Sequence, residues 1–288
     1  MTIKNPIEWS GAQLVHAAQA IGSLGRSLNH IADNVHSAAP AVRRIGLADL
    51  RDALARGFGD FKAYRSDVVI IGIIYVVIGI VLSRAEFGAD LLPLLFPLAS
   101  GFAIVGPFAA VGLYEMSRRR EQGLDINWAN GIEMLREPGF GAIAVLGLVL
   151  VAIFGLWIAA AWWIFQATLG PAIPASLGAF IRGVVATDAG HLMIAVGIAV
   201  GFVFAVAAMA ISVVSFPLLL DREVGLDTAV RTSVRAVAAN PKAMAAWGLI
   251  VAAGLVIGSL SLFVGLAVVL PVLGHATWHL YRKLVAPA

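Results

Sequence analysis

The sequence predicts an all-α polytopic membrane protein, with six transmembrane helices in three parallel hairpin repeats, each preceded by an interfacial amphipathic helix. Three observations support this fold class. Of the 288 residues, 60% are hydrophobic and only 13% are charged, whereas a soluble domain carries about 25% charged residues. Several long windows contain no charged residue at all. The hexapeptide Arg-Glu-x-Gly-Leu-Asp, which we call the cassette, occurs at 120–125 and again at 222–227.

The charge-free windows determine the number of spans. They are 68–83, 91–114, 138–181, 189–220 and 243–281. A span needs about 20 apolar residues. The last window would be roughly 58 Å long as one helix, so we expect it to fold back near 259–261. In the third window, Pro171 and Pro174 end the helix near Thr168 and leave 175–186 as an interfacial or re-entrant segment.

Six spans result, and the distribution of basic residues sets their orientation. The predicted spans are about 66–84, 91–115, 139–168, 191–217, 243–260 and 263–281. With this count, only Arg84 and Arg182 of the 20 lysines and arginines lie on one side of the membrane, and the others share the opposite side. Basic residues are retained on the cytoplasmic face. We therefore expect both termini to lie in the cytoplasm. A seventh span would place the two cassettes on opposite sides.

The cassette indicates duplication of a unit made of an interfacial helix and a hairpin. The predicted units are 43–117, 118–220 and 221–288. The first unit begins with a stripe of Leu50, Leu54, Phe58 and Phe61, the second with 125–136, and the third with Leu226, Val230, Val234 and Val237. Because each unit starts and ends on the same side, the repeats are parallel and predict a pseudo-threefold axis along the membrane normal. The alternative is convergence, since basic residues and Gly-Leu turns are common where helices leave a membrane.

Residues 1–42 form a separate arm. Apolar residues recur every seven positions between 7 and 35, as in a coiled coil. This seam predicts either a homo-oligomer formed through 7–35 or an amphipathic helix that lies on the membrane or on the bundle. Besides the lipid bilayer, another membrane complex is a candidate partner. Nucleic acid is not, because the basic residues are interleaved with apolar ones at a membrane surface, where anionic lipid accounts for them.

Familiar catalytic chemistry is missing from the sequence. The chain has no cysteine, which excludes disulfides, thiolate metal sites, iron–sulfur clusters and covalently attached haem. It also lacks the P-loop, nucleophile-elbow, dinucleotide-binding and His-Glu-x-x-His patterns. These absences favour a role other than that of an enzyme.

One local constellation suggests a binding site. His275 and His279 are four residues apart and therefore lie on one face of the last helix. Two imidazoles at this spacing can ligate a metal, and one can serve as an axial haem ligand. Aligning Pro107 with Pro271 places Glu115 at the position equivalent to His279, which makes it a candidate third ligand.

Asp221 is a candidate fourth ligand. The alternative is that all these groups are interfacial residues that pair with carboxylates and lipid headgroups near the helix ends, where ionisable residues are tolerated at low cost.

Two motifs resemble a known family. They are Gly-Leu-Tyr-Glu-x-Ser-Arg-Arg at 112–119 and Gly-His-Ala-Thr-Trp-His at 274–279. Both resemble DUF2189, a family of bacterial integral membrane proteins of unknown function, over about 43–285. The resemblance implies a multi-pass protein of the bacterial inner membrane and carries no activity.

The sequence therefore favours a non-catalytic scaffold or accessory subunit. One alternative is a metal- or haem-binding membrane protein that uses His275 and His279. Another is a channel or a lipid or solute transporter along the pseudo-threefold axis. No charge lies near the centre of any predicted span, which counts against an ion-coupled transporter because such proteins usually carry one there. A wide, polar cavity between the hairpins would favour transport, and an apolar axis would count against it.

Overall fold

The computed structural model describes residues 39–63, 93–124, 140–170, 176–260 and 265–286. Within these ranges the chain is helical, apart from loops and one isolated β-bridge. Most of the predicted arm, the first predicted span and the amphipathic stretch at 125–136 lie outside the described residues.

Ten helices are present in the described part of the chain. They are α1 (Leu47–Ala63), α2 (Leu95–Ala109), α3 (Val111–Glu121), α4 (Phe140–Thr168), α5 (Leu177–Ala186), α6 (Asp188–Ser212), α7 (Ser215–Asp221), α8 (Leu226–Ala239), α9 (Pro241–Leu260) and α10 (Leu266–Leu284).

Four continuous segments are long and apolar enough to cross a membrane. They are Phe96–Glu121, Phe140–Thr168, Asp188–Asp221 and Pro241–Leu260. Each overlaps one of the predicted spans, and the largest difference is six residues, at the end of Phe96–Glu121 against the predicted 91–115. The sixth predicted span forms a helix, α10, that does not meet the same criterion, because its last turns carry two histidines, Arg282 and Lys283. The described residues thus confirm an all-helical membrane protein with four candidate spans, and the arrangement of six helices in three repeats stays a prediction.

Proline accompanies the interruptions within two of these segments. The first segment is divided into α2 and α3 at Ala110, three residues after Pro107. The third is divided into α6 and α7 at 213–214, just before Pro217. A proline inside a helix has no N–H to donate and crowds the preceding turn, which is a common cause of kinks.

Helix α1 packs along α10 through a narrow face of small and apolar residues. Its buried residues include Leu50, Ala53, Gly57 and Phe61. A Cβ on Gly57 would come within 2.5 Å of the backbone nitrogen of Ala276, so the two backbones approach closely. Of the predicted interfacial stripe, Leu50 and Phe61 are buried in this contact, whereas Phe58 is 43% exposed. The buried face is centred on Ala53 and Gly57 because small residues, and not the bulkiest ones, permit this approach.

Helix α8 also packs against the protein through small side chains. The predicted valine stripe lies at the edge or outside, and Val234 is exposed. The buried residues are Thr228, Ala229, Thr232, Ser233 and Ala236. Small side chains allow close packing of helices, as they do within membranes generally.

The segments that flank the fold run side by side. Val42 and Val285 form an antiparallel bridge. The N–H of Arg43 donates to the carbonyl of Leu284 at 2.7 Å. The side chain of Asn240, which follows α8, accepts from the N–H of Ile45 and fixes the same segment. The start of α1 and the end of α10 therefore lie at one end of the helices, which we call the polar end.

Both cassettes begin at the polar end. Glu121 of the first copy binds Arg282 of α10. Arg222 of the second copy donates to the carbonyl of Ala286. This common location agrees with the expectation that both copies face the same side.

Candidate functional site

Five polar side chains from three helices meet inside the polar end. They are Asp60 of α1, Ser117 and Arg120 of α3, and His275 and His279 of α10. We call this group the Asp60 cluster.

The close approach of α1 and α10 positions the cluster. Gly57 touches Ala276, and Asp60 and His279 each lie about one helical turn from this contact on their own helices. Nε2 of His279 lies 2.8 Å from the carboxylate of Asp60. Helix α3 lies against α10 and contributes Ser117, whose hydroxyl is 2.6 Å from the same carboxylate oxygen.

The hydrogen bonds of the cluster fix where its protons lie. A carboxylate only accepts, so Ser117 and His279 both donate to Oδ2 of Asp60. Arg120 donates to the other oxygen, Oδ1, at 2.7 Å. Since Ser117 has used its single proton, Nδ1 of His275 must be the donor in its 2.8 Å contact with the serine oxygen. His275 is thereby held as the Nδ1–H tautomer, and its Nε2 has no hydrogen-bond partner within the described chain.

Asp60 is an ionised carboxylate despite being only 5% exposed. Burial alone raises the pKa of this carboxyl, but the hydrogen bonds from His279 and Ser117 outweigh burial and leave the pKa below its ordinary value. Arg120 supplies the balancing charge and is itself 41% exposed. The cluster is thus a buried anion neutralised from the solvent side.

The arrangement is not that of a Ser–His–Asp nucleophile. In such a triad the histidine lies between the two and takes the proton from the serine. Here the serine donates directly to Asp60, and His275 donates to the serine. Ser117 therefore has no base positioned to activate it, and the geometry stabilises a fixed carboxylate.

The structure brings together two of the three predicted metal ligands. His275 and His279 belong to the same cluster, joined through Ser117 and Asp60. Glu115 instead binds Arg118 and Arg119, each at 2.7 Å. No group of three histidine and acidic side chains suited to a metal occurs among the described residues. The ligand set of Glu115 with the two histidines stays a prediction.

Asp221, the fourth candidate ligand, is engaged in a second network. It accepts from the hydroxyl of Tyr281 at 2.6 Å and from Arg282 at 3.2 Å. Arg282 also binds Glu121, which accepts from the indole N–H of Trp278. This network links the ends of α3, α7 and α10.

Two cavities adjoin these groups. An open pocket of about 520 Å³ lies beside the Asp60 cluster and is lined by charged side chains. Its basic residues already carry acidic partners: Arg120 binds Asp60, Arg282 binds Glu121, and Lys283 binds Asp52 at 2.9 Å. The second cavity, of about 200 Å³, lies between α2, α6, α9 and α10 and is lined mainly by apolar side chains.

Sequence reasoning missed Asp60 and Ser117. Asp60 lies at helical spacing with Leu50, Ala53 and Gly57. A charged residue on the apolar face of a helix indicates a buried polar partner, and this pattern could have identified Asp60. Ser117 is part of the motif at 112–119, which carried the resemblance to DUF2189 without suggesting a partner for the serine.

Helices that are long and apolar enough to cross a membrane define an integral membrane protein, which contacts the lipid bilayer. The particular resemblance is also confirmed: the family model "Predicted integral membrane protein (DUF2189)" matches residues 95–221. This stretch runs from the start of α2 to the end of α7, a little under half of the chain and less than the 43–285 expected. Asp60 and both histidines of the cluster lie outside it. No curated protein and no solved structure matches the chain.

Proposed function

We propose that this chain is a non-catalytic scaffold or accessory subunit of the bacterial inner membrane. The observation that supports this role is the use of the ionisable groups at the polar end. Asp60, Glu115, Glu121 and Asp221 each bind basic or hydrogen-bonding side chains of the same chain. Groups bound in this way hold helices together, and they are poorly placed to act on a substrate.

A scaffold works by assembling with other copies or with other proteins, and the arm is the predicted self-association segment. The matched test removes residues 1–38 and keeps Ala41 and Val42, which pair with the end of the chain. We expect the full chain to form larger species in cross-linked membranes, and the shortened chain to lose them while unfolding at the same temperature. If both chains are found only as monomers, after cross-linking in membranes and after gentle detergent extraction, the result would count against the scaffold.

A metal- or haem-binding protein is the second candidate, and one observation favours it. Nε2 of His275 is buried without a hydrogen-bond partner in the described chain, and this atom is a common metal ligand. Against this candidate, Nε2 of the neighbouring His279 already binds the carboxylate of Asp60 and is not free to ligate a metal in this arrangement.

Metal analysis and an absorption spectrum of the purified protein separate the two candidates. If the protein is a scaffold, the purified protein should contain much less than one metal ion per chain and should show no Soret band. A stoichiometric metal or a Soret band that disappears in both His275→Ala and His279→Ala would replace the scaffold with the binding protein. Glu115→Gln tests the third predicted ligand in the same assay.

A channel or polar-solute transporter on the predicted pseudo-threefold axis has less support. The cavity between α2, α6, α9 and α10, which correspond to the second, fourth, fifth and sixth predicted spans, is lined mainly by apolar side chains. Ions and polar solutes need polar groups or water along their path. This cavity is therefore better suited to an apolar molecule.

A further inference from the structure

The apolar cavity between α2, α6, α9 and α10 exists because its walls are built from small residues. Gly106 of α2 and Gly248 of α9 line it, and a Cβ on Gly106 would have no heavy atom within 4 Å. Ala103, Ala205 and Ala252 line it from three helices and are exposed, so the cavity is open and not sealed by packing.

Two of the polar side chains in the walls are satisfied within their own helices. The hydroxyl of Ser212 donates to the carbonyl of Ala208 at 2.6 Å, and that of Thr277 donates to the carbonyl of Leu273 at 2.7 Å. A buried water needs two to four polar partners, and an engineered apolar cavity of about 150 Å³ stays dry and takes up hydrocarbon. At about 200 Å³ this cavity is larger and has similarly few polar groups to offer.

The surroundings of the cavity determine what can enter it. Three of the four helices that line it belong to segments apolar enough to cross a membrane. Large apolar side chains near the opening are exposed, among them Phe202 on α6 and Val256 on α9. In a bilayer, hydrocarbon tails cover such surfaces, so acyl chains are present at high concentration where the cavity opens.

We propose that this cavity binds one acyl chain of a membrane phospholipid. Gly106 and Gly248 provide the room, and the mainly apolar walls, in which the hydroxyls of Ser212 and Thr277 are already satisfied, favour a hydrocarbon ligand. The lipid site does not depend on the proposed scaffold function. A chain that does not assemble could still bind lipid in this cavity, and a chain that assembles could have no lipid there.

A matched pair of glycine substitutions tests the site. Gly106→Leu places a side chain in the cavity. Gly155→Leu makes the same change on α4, where the glycine is exposed, lies away from the cavity and has no heavy atom within 4 Å. Both changes raise helix propensity alike, by roughly 1 kcal/mol. Gly248→Leu is a second filling variant, since its nearest contact is the flexible sulfur of Met209 at 3.8 Å.

The first readout is native mass spectrometry after extensive detergent washing. We expect about one phospholipid to be retained per chain in the natural protein and in Gly155→Leu. In Gly106→Leu and Gly248→Leu the added leucine occupies the space of the acyl chain, so we expect the affinity for the lipid to fall at least about tenfold, which corresponds to a loss of about 1.4 kcal/mol in binding free energy. Equal retention in all four proteins would overturn the proposal, as would a retained isoprenoid lipid in place of a phospholipid.

The second readout uses Trp247, which lines the cavity. The proteins are placed in vesicles of phosphatidylethanolamine and phosphatidylglycerol with brominated acyl chains, which quench nearby indoles. The contribution of Trp247, obtained by subtraction of a Trp247→Phe variant, should be quenched in the natural protein and protected in Gly106→Leu. If Gly106→Leu does not fold, Gly248→Leu gives the same comparison. Equal quenching of Trp247 in filled and unfilled proteins would show that no chain enters.

Discussion

Replacement of Asp60 by alanine should destabilise the protein far more than the same change at a surface aspartate of the same helix. Asp60 accepts hydrogen bonds from Ser117 and His279 and pairs with Arg120. Hydrogen bonds to a charged group contribute about 1.5–3 kcal/mol each, and removing one partner of a buried ion pair costs about 3–5 kcal/mol. Arg120 can turn into water because it is 41% exposed, so we discount its share and expect a total loss of about 3 kcal/mol.

The variant Asp60→Asn keeps the size and shape of the side chain but removes its charge, so it measures the contribution of the charge alone. Its amide oxygen can still accept from Ser117 and His279, while its NH₂ group faces Arg120, so we expect a smaller loss of about 1–2 kcal/mol. The measurement is thermal unfolding of the detergent-solubilised protein. At roughly 2–4 °C per kcal/mol for a domain of this size, the alanine variant should unfold about 6–12 °C earlier.

The control is Asp52→Ala on the same helix. Asp52 also pairs with basic residues, Arg56 and Lys283, but its side chain is 39% exposed. Exposed pairs contribute about 0–1 kcal/mol. If Asp60→Ala and Asp52→Ala shift the unfolding temperature equally, the buried carboxylate does not hold the helices together, and the structural role of the Asp60 cluster must be abandoned.

Three further predictions use the same protein. Gly57→Ala should destabilise by about 1–3 kcal/mol in the same unfolding assay, because its Cβ meets the backbone of Ala276, whereas Gly59→Ala, with open space around it, should be neutral or slightly stabilising; equal effects would refute the close approach of α1 and α10. The difference in stability between the natural protein and Asp60→Asn should be full at neutral pH and shrink as the pH falls below about 4, because the folded pKa of Asp60 lies below its unfolded value; a difference unchanged at pH 3 would contradict that direction. The lack of native cysteine allows single-cysteine labelling, in which Arg44→Cys should react with an impermeant reagent only in inverted vesicles and Arg182→Cys only in right-side-out cells; labelling of both from one side would refute the predicted topology.

The spans could be predicted because lipid imposes a simple rule on the sequence. A helix in hydrocarbon cannot carry many charges, so the predicted span 139–168 differs from the observed Phe140–Thr168 by one residue at its start. The contact faces of α1 and α8 were harder to predict. Close packing selects small residues such as Gly57 and Ala229, which measures of hydrophobicity rank below leucine and valine.

The candidate site was predictable only in part for a related reason. Spacing along one helix placed His275 and His279 on one face, and they do share a cluster. An alignment between repeats gives a height along the membrane, and it does not give the direction in which a side chain points. Glu115 binds the arginines on the next turn of its own helix, and the carboxylate that reaches His279 comes from α1, which the alignment did not include.

The contact between α1 and α10 also constrains the order in which this protein can assemble. Asp60 and His279 are 219 residues apart in sequence, and domains made on the ribosome generally acquire structure from the N-terminal end first. Helix α1 therefore emerges with its buried face uncovered, and about 200 further residues are synthesised before α10 follows. A nascent chain stopped before Leu266 would display that face, including an ionised Asp60, to the quality-control machinery. Docking of α10 would cover this face together with the carboxylate of Asp60.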